Sequence, residues 1–141
     1  MNEQRLSLAA VMMATMLVQG CATSRMDLVE QGTVSVETLP GERVGILWID
    51  VHQDGEETLV YGALQRRRHT SCPITVHVDV TLLSRDGAEL EQAHTGDIYV
   101  ARHIHGRGIN WTPFRVRFGR VPPKDSKVKV VVHDSRHCDH T

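Results

Sequence analysis

Hydrophobic and polar positions alternate with a period of two over much of this 141-residue chain. Such a period is typical of β-strands that bury one face, since successive side chains point to opposite sides of a sheet. The clearest stretch places Ile74, Val76, Val78, Val80 and Leu82 on one face and Thr75, His77, Asp79 and Thr81 on the other. This stretch predicts a strand with one buried and one exposed face.

Shorter patterned stretches predict further strands at residues 34–37, 58–65, 88–93, 114–118 and 128–132. The nearly all-apolar stretch 44–51 predicts a central strand, and we expect its Trp48 to lie in the core with Phe114 and Phe118. Asp54-Gly55 is a turn signal that predicts a hairpin after this strand. Strands recurring about every ten residues, without a helical apolar period, predict an all-β fold: an immunoglobulin-like β-sandwich of about seven strands.

The N-terminus departs from this alternation, because residues 6–18 form an apolar run in which only Ser7 and Thr15 are polar. The run has the length of the apolar region of a signal peptide and is too short for a permanent membrane span. It ends at Leu17-Val18-Gln19-Gly20-Cys21, which resembles the lipobox of bacterial lipoproteins. The resemblance implies cleavage before Cys21, acylation of its thiol and anchorage in a lipid bilayer.

The lipobox resemblance also implies a division of the chain and a location. We expect a lipoprotein signal peptide over residues 1–20, a flexible polar tether over residues 21–32, and one β-sandwich domain over residues 33–141. The protein would lie in the bacterial cell envelope. Ala22 after the lipidated cysteine favours the periplasmic face of the outer membrane.

Two cysteines remain after the lipobox, Cys72 and Cys138. An even pair in an oxidising compartment predicts a disulfide bond between them, the alternative being two free thiols. Closing a loop of this length stabilises the fold by roughly 4 kcal/mol if the effect is entropic.

One segment resembles a known family of small envelope domains. Residues 76–87 are similar to the middle of an FxLYD-type domain, in which an alternating strand ends in a leucine, an aspartate and a glycine. Val60-Tyr61-Gly62 and the Phe-initiated strand 114–118 resemble the strands on either side. The resemblance covers roughly residues 58–134 and implies an immunoglobulin-like sandwich without catalytic residues.

Charge is unevenly distributed along the chain although the formal net charge is only −1, too near zero to predict nucleic-acid binding. Residues 21–65 carry eight acidic and two basic side chains, whereas residues 66–141 carry thirteen basic and eight acidic ones. Basic clusters predict an anionic partner, either another envelope protein or an anionic envelope glycan or lipid. The candidate binding residues are Arg66, Arg67, Arg68, His69, Arg102, His103, His105 and Arg107.

Strand faces offer a second basic surface. Arg115 and Arg117 alternate on one predicted strand, and Lys127 and Lys129 alternate on another. If those strands pair, the four side chains form one basic stripe. The alternative is a solvated sheet face of mixed charge.

Nine histidines make metal binding an alternative function. The candidate ligands for copper or zinc are His103, His105, His137 and His140, and His77 and Asp79 also share a strand face. Solvated surface histidines are the simpler explanation. A third possibility is a pH-responsive envelope protein, since histidine titrates between about pH 5 and 8.

Enzyme signatures are missing from the sequence, which has no nucleophile elbow, phosphate loop or dinucleotide-binding glycine pattern. We therefore predict a membrane-anchored, non-enzymatic periplasmic lipoprotein that needs no cofactor. It would bind or assemble envelope components through a sheet edge, a loop or a basic face.

Overall fold

A computed structural model describes residues 25–67, 72–100 and 111–135. Within these ranges the chain forms strands and no helix, which confirms the predicted all-β fold. The strands are β1 (Met26–Asp27), β2 (Val34–Leu39), β3 (Val44–Asp54), β4 (Glu57–Arg66), β5 (Ile74–Leu83), β6 (Glu89–His94), β7 (Ile98–Val100), β8 (Thr112–Phe118) and β9 (Ser126–Asp134). No helix capable of crossing a membrane occurs in the described ranges.

Two sheets form a β-sandwich. The first sheet has the order β1-β3-β4-β8. The second has the order β2-β9-β5-β6, and β7 pairs with the beginning of β5 on the same side as β6. Neighbouring strands are antiparallel except β2 and β9, which run parallel. Strand β5 therefore lies inside the second sheet, with β9 on one side and β6 and β7 on the other.

The core lies between the sheets and follows the predicted alternation. The inward side chains of β5, from Ile74 to Leu82, are at most 1% exposed. Phe114, Val116 and Phe118 of β8 face them from the first sheet, and the inward valines of β9 complete the layer. Because β-branched side chains pack well on a pleated surface, a valine-rich core suits these strands.

The predicted hairpin between residues 44 and 65 is confirmed, but Trp48 does not lie in the core. Strands β3 and β4 pair around the turn at Gly55, which has a φ of 62°. A β-bulge between Ile46 and Trp48 inserts one extra residue into β3. The prediction for Trp48 is wrong because this insertion reverses the alternation, leaving Leu47 50% and Trp48 39% exposed.

The fold also includes residues that the sequence assigned to the tether. Strand β1 pairs with the end of β3, and Leu28 is only 1% exposed among the core residues. The chain is thus part of the sandwich from residue 26 onward, and the predicted tether over residues 21–32 overlaps it.

A candidate metal centre on the outer face of the second sheet

The outer face of β5 carries the two polar residues that the sequence placed together, His77 and Asp79. The alternation that buries Val76, Val78 and Val80 turns their neighbours away from the core. In the register of β5 with β9, His77 lies directly opposite His133. Directly opposite residues share a sheet face, so three polar side chains meet there.

The three side chains are close enough to act as a unit. The His77 and His133 rings stack with their centroids 4.7 Å apart and their planes 15° apart. Nε2 of His133 lies 2.9 Å from Oδ2 of Asp79. One potential ligand atom from each residue lies within 4.8 Å of the other two.

Two imidazole nitrogens and one carboxylate oxygen suit Zn²⁺ or Cu²⁺ as ligands. A tetrahedral ion about 2.0–2.2 Å from each ligand needs ligand atoms about 3.4 Å apart. The ligand atoms lie up to 4.8 Å apart, so their separations must change by up to about 1.4 Å. Rotation of partly exposed side chains can supply this, since the Asp79 side chain is 28% and the His133 side chain 45% exposed. The cluster can therefore hold a metal ion without a change in the backbone.

Sequence reasoning identified His77 and Asp79 on one face but missed His133. The partner comes from the last described strand, and its position depends on the register between β5 and β9, which one sequence does not reveal. The sequence signal that could have identified His133 is the alternation of β9. This alternation places His133 on the same face as Lys129 and Val131. The residues between them, Val130 and Val132, are buried.

Most of the other predicted site residues lie outside the described residues. These are Cys21, Arg68, His69, Arg102, His103, His105, Arg107, His137, Cys138 and His140. The half-buried Cys72 is described but Cys138 is not, so the Cys72–Cys138 bridge stays a prediction.

Arg66 and Arg67 are the described members of the first basic segment, and both bind backbone carbonyls of the protein. The Arg66 guanidinium donates to the carbonyl of Val100 from Nε at 3.2 Å and Nη2 at 2.8 Å. Its Nη1 donates to the carbonyl of Cys72 at 3.1 Å. Arg67 Nη1 donates to the carbonyl of Gly41 at 3.2 Å. Arg66 thus joins β4 to β7 and to the segment just before β5.

The single basic stripe does not form, because its two strands belong to different sheets. Arg115 and Arg117 lie on β8 in the first sheet, whereas Lys127 and Lys129 lie on β9 in the second. Two of these bases form ion pairs. Arg117 Nη1 lies 2.8 Å from Oε2 of Glu57, and Lys127 Nζ lies 3.0 Å from Oε2 of Glu37. The outer faces carry mixed charge, as the alternative interpretation expected.

No protein-family model, no curated protein and no solved structure matches the chain significantly. The resemblances to bacterial lipoproteins and to FxLYD-type domains therefore stay predictions from the sequence.

Proposed function

We propose that this chain is a non-enzymatic, lipid-anchored protein of the bacterial envelope that binds Zn²⁺ or Cu²⁺. The observation that carries the proposal is the meeting of His77, Asp79 and His133 on one sheet face, with ligand atoms within 4.8 Å of one another. This is a different ligand set from His103, His105, His137 and His140, which lie outside the described residues.

The backbone that carries the three ligands is held firmly. Strand β5 pairs with β9 from Val76 to Leu83, and β6 and β7 pair with its other side. A regular sheet holds its backbone more firmly than a loop does, so little backbone entropy is lost when a metal ion binds. This preorganisation supports a binding role for the cluster.

The chemistry of the cluster favours a metal ion over an ion pair alone. One imidazole suffices to pair with Asp79, but a second imidazole stacks on the first at 4.7 Å. The nitrogen lone pairs of the two rings can bind one cation together. The Asp79 carboxylate adds negative charge to the same position.

The described basic residues give less support to an anionic partner. Arg66 uses its guanidinium for carbonyls within the fold, and the predicted basic stripe is divided between two faces of the sandwich. Metal binding is therefore the form of non-enzymatic binding that the described surface supports best.

The anchor and the location rest on the sequence Leu17-Val18-Gln19-Gly20-Cys21. Metabolic labelling with palmitate tests them: we expect label on the parent chain and none on a Cys21→Ser variant. Label retained by the variant contradicts the lipid anchor at Cys21.

Calorimetric titration of the full chain in detergent with Zn²⁺ and with Cu²⁺ tests metal binding. We expect one site with a dissociation constant of about 1 μM or lower, and its loss in a His77→Ala/His133→Ala variant. His52→Ala is the matched control, since it removes a histidine from the first sheet. Equal stoichiometry in the parent and the double variant, or no binding to the parent, overturns the proposal.

A further inference from the structure

A third histidine lies beside the candidate centre, on the other side of β5. His94 ends β6 and lies directly opposite Asp79 in the register of these two strands. Directly opposite residues share a face and have Cβ atoms about 4.5–5.5 Å apart. His94 is thus on the face that carries His77, Asp79 and His133.

His94 can reach the Asp79 carboxylate by side-chain rotation alone. His133 already contacts Asp79 at 2.9 Å although it lies opposite His77, and diagonal neighbours in a sheet are about 7–8 Å apart. The separation between directly opposite residues, such as His94 and Asp79, is shorter than this diagonal separation. The exposed His94 side chain has room to change rotamer, although it lies outside the 4.8 Å group in this conformation.

The backbone next to His94 is fixed by hydrogen bonds to β5. The Thr95 amide donates to the Val78 carbonyl at 2.9 Å, and the Val78 amide donates to Thr95 Oγ1 at 2.9 Å. These two bonds hold the end of β6 against the middle of β5. The backbone at His94 therefore needs no change for its ring to turn toward Asp79.

We infer that His94 is the fourth protein ligand of the metal centre, an inference that rests on the proposed function. Three imidazoles and one carboxylate then surround the ion. Four protein ligands complete a tetrahedral Zn²⁺ site, whereas catalytic zinc keeps a position open for water or substrate. The centre is therefore a closed site. It stores or transfers its metal ion, or the metal ion stabilises the fold.

Cobalt substitution tests the coordination number, because four-coordinate Co²⁺ absorbs visible light much more strongly than five- or six-coordinate Co²⁺. The full chain is titrated in detergent, and the spectrum of the His77→Ala/His133→Ala variant is subtracted to remove binding elsewhere. We expect intense bands for the parent. A His94→Ala variant, in which water takes the fourth position, should show bands that differ from the parent's in position and intensity. It should also bind at least tenfold more weakly, since loss of a supporting partner alone costs about 10–100-fold.

Gln92→Ala is the matched control, since Gln92 lies on the same strand opposite Thr81. It should bind and absorb as the parent does. If His94→Ala also matches the parent in affinity and spectrum, His94 is not a ligand and the three-residue centre stands without it. If the parent spectrum equals that of the double variant, the inference fails together with the proposed function.

Discussion

Asp134, at the end of β9, shows how one carboxylate holds a loop against the sandwich. Its Oδ2 accepts a hydrogen bond from the Arg43 amide at 2.7 Å, and the guanidinium Nε of Arg43 lies 4.0 Å away. Gly41 brings its backbone so close to Oδ1 of Asp134 that a Cβ atom would overlap it. The loop before β3 therefore depends on the missing side chain of Gly41.

Gly41→Ala should destabilise the protein by about 1–3 kcal/mol, since the inserted methyl group displaces Asp134. Urea unfolding measures the change. Gly96→Ala is the control, because a Cβ there has no neighbour within 4 Å. Equal unfolding midpoints for the two variants would contradict this role for Gly41.

Glu37, on β2, forms an ion pair with Lys127 on β9. Its hydrogen bond and ion pair with Lys127 lower the pKa of the Glu37 carboxyl below the ordinary value of 4.5. Because the folded-state pKa is depressed, this pair stabilises the fold above the unfolded-state pKa. That contribution is lost as the pH falls through the folded-state pKa.

Lys127→Met should raise the pKa of Glu37 towards its ordinary value, because it removes both the hydrogen bond and the nearest positive charge. An NMR titration of the Glu37 side-chain carbon measures the change. Lys129→Met should give a smaller rise, since Lys129 acts on Glu37 through charge alone. A rise for Lys129→Met as large as that for Lys127→Met contradicts the assignment.

Strands β4 and β7 and the segment just before β5 meet at the Arg66 side chain. Its guanidinium donates to two backbone carbonyls, those of Val100 and Cys72, from three nitrogen atoms. Hydrogen bonds from charged groups contribute about 1.5–3 kcal/mol each, more than neutral ones. Arg66 therefore ties the first sheet to the second at one end of the sandwich.

Arg66→Met should lower the free energy of unfolding by about 2–3 kcal/mol, because carbonyls at the sheet ends lose their donor. Chemical denaturation of the purified chain checks this. Arg117→Met, which removes an exposed ion pair with Glu57, should cost at most about 1 kcal/mol. If both variants are equally stable, Arg66 is not a structural link.

The same elements show what the sequence could predict. Strands β5, β8 and β9 were predictable because their alternation reports burial directly, as Val78, Phe118 and Val130 show. The exposure of Trp48 was not, because a single inserted residue in β3 reverses the alternation without a separate signal. His133 and His94 were missed as neighbours of Asp79 because cross-strand register arises from the pairing of distant segments.

For the whole molecule, the candidate centre joins β9 and β5, and with His94 also β6. A ligand that binds only the folded state stabilises it, by about 2.7 kcal/mol at a hundredfold excess over its dissociation constant. Metal binding should therefore stabilise the sandwich as a unit rather than one loop.

Zn²⁺ at a hundredfold excess over its dissociation constant should raise the thermal unfolding midpoint by about 10 °C, since about 1 kcal/mol shifts the midpoint of a domain this size by roughly 4 °C. Scanning calorimetry of the parent with and without Zn²⁺ measures the rise. The His77→Ala/His133→Ala variant should show no rise, and His52→Ala should behave as the parent. A rise that persists in the double variant locates the stabilising metal elsewhere.

The most direct measurement is the position of the metal itself. Anomalous X-ray diffraction at the zinc edge, from crystals of the chain grown with Zn²⁺, should show a peak about 2.0–2.2 Å from a nitrogen of His77, a nitrogen of His133 and an oxygen of Asp79. A zinc ion bound only by other residues, or no peak at this face of the second sheet, would contradict the proposed metal centre.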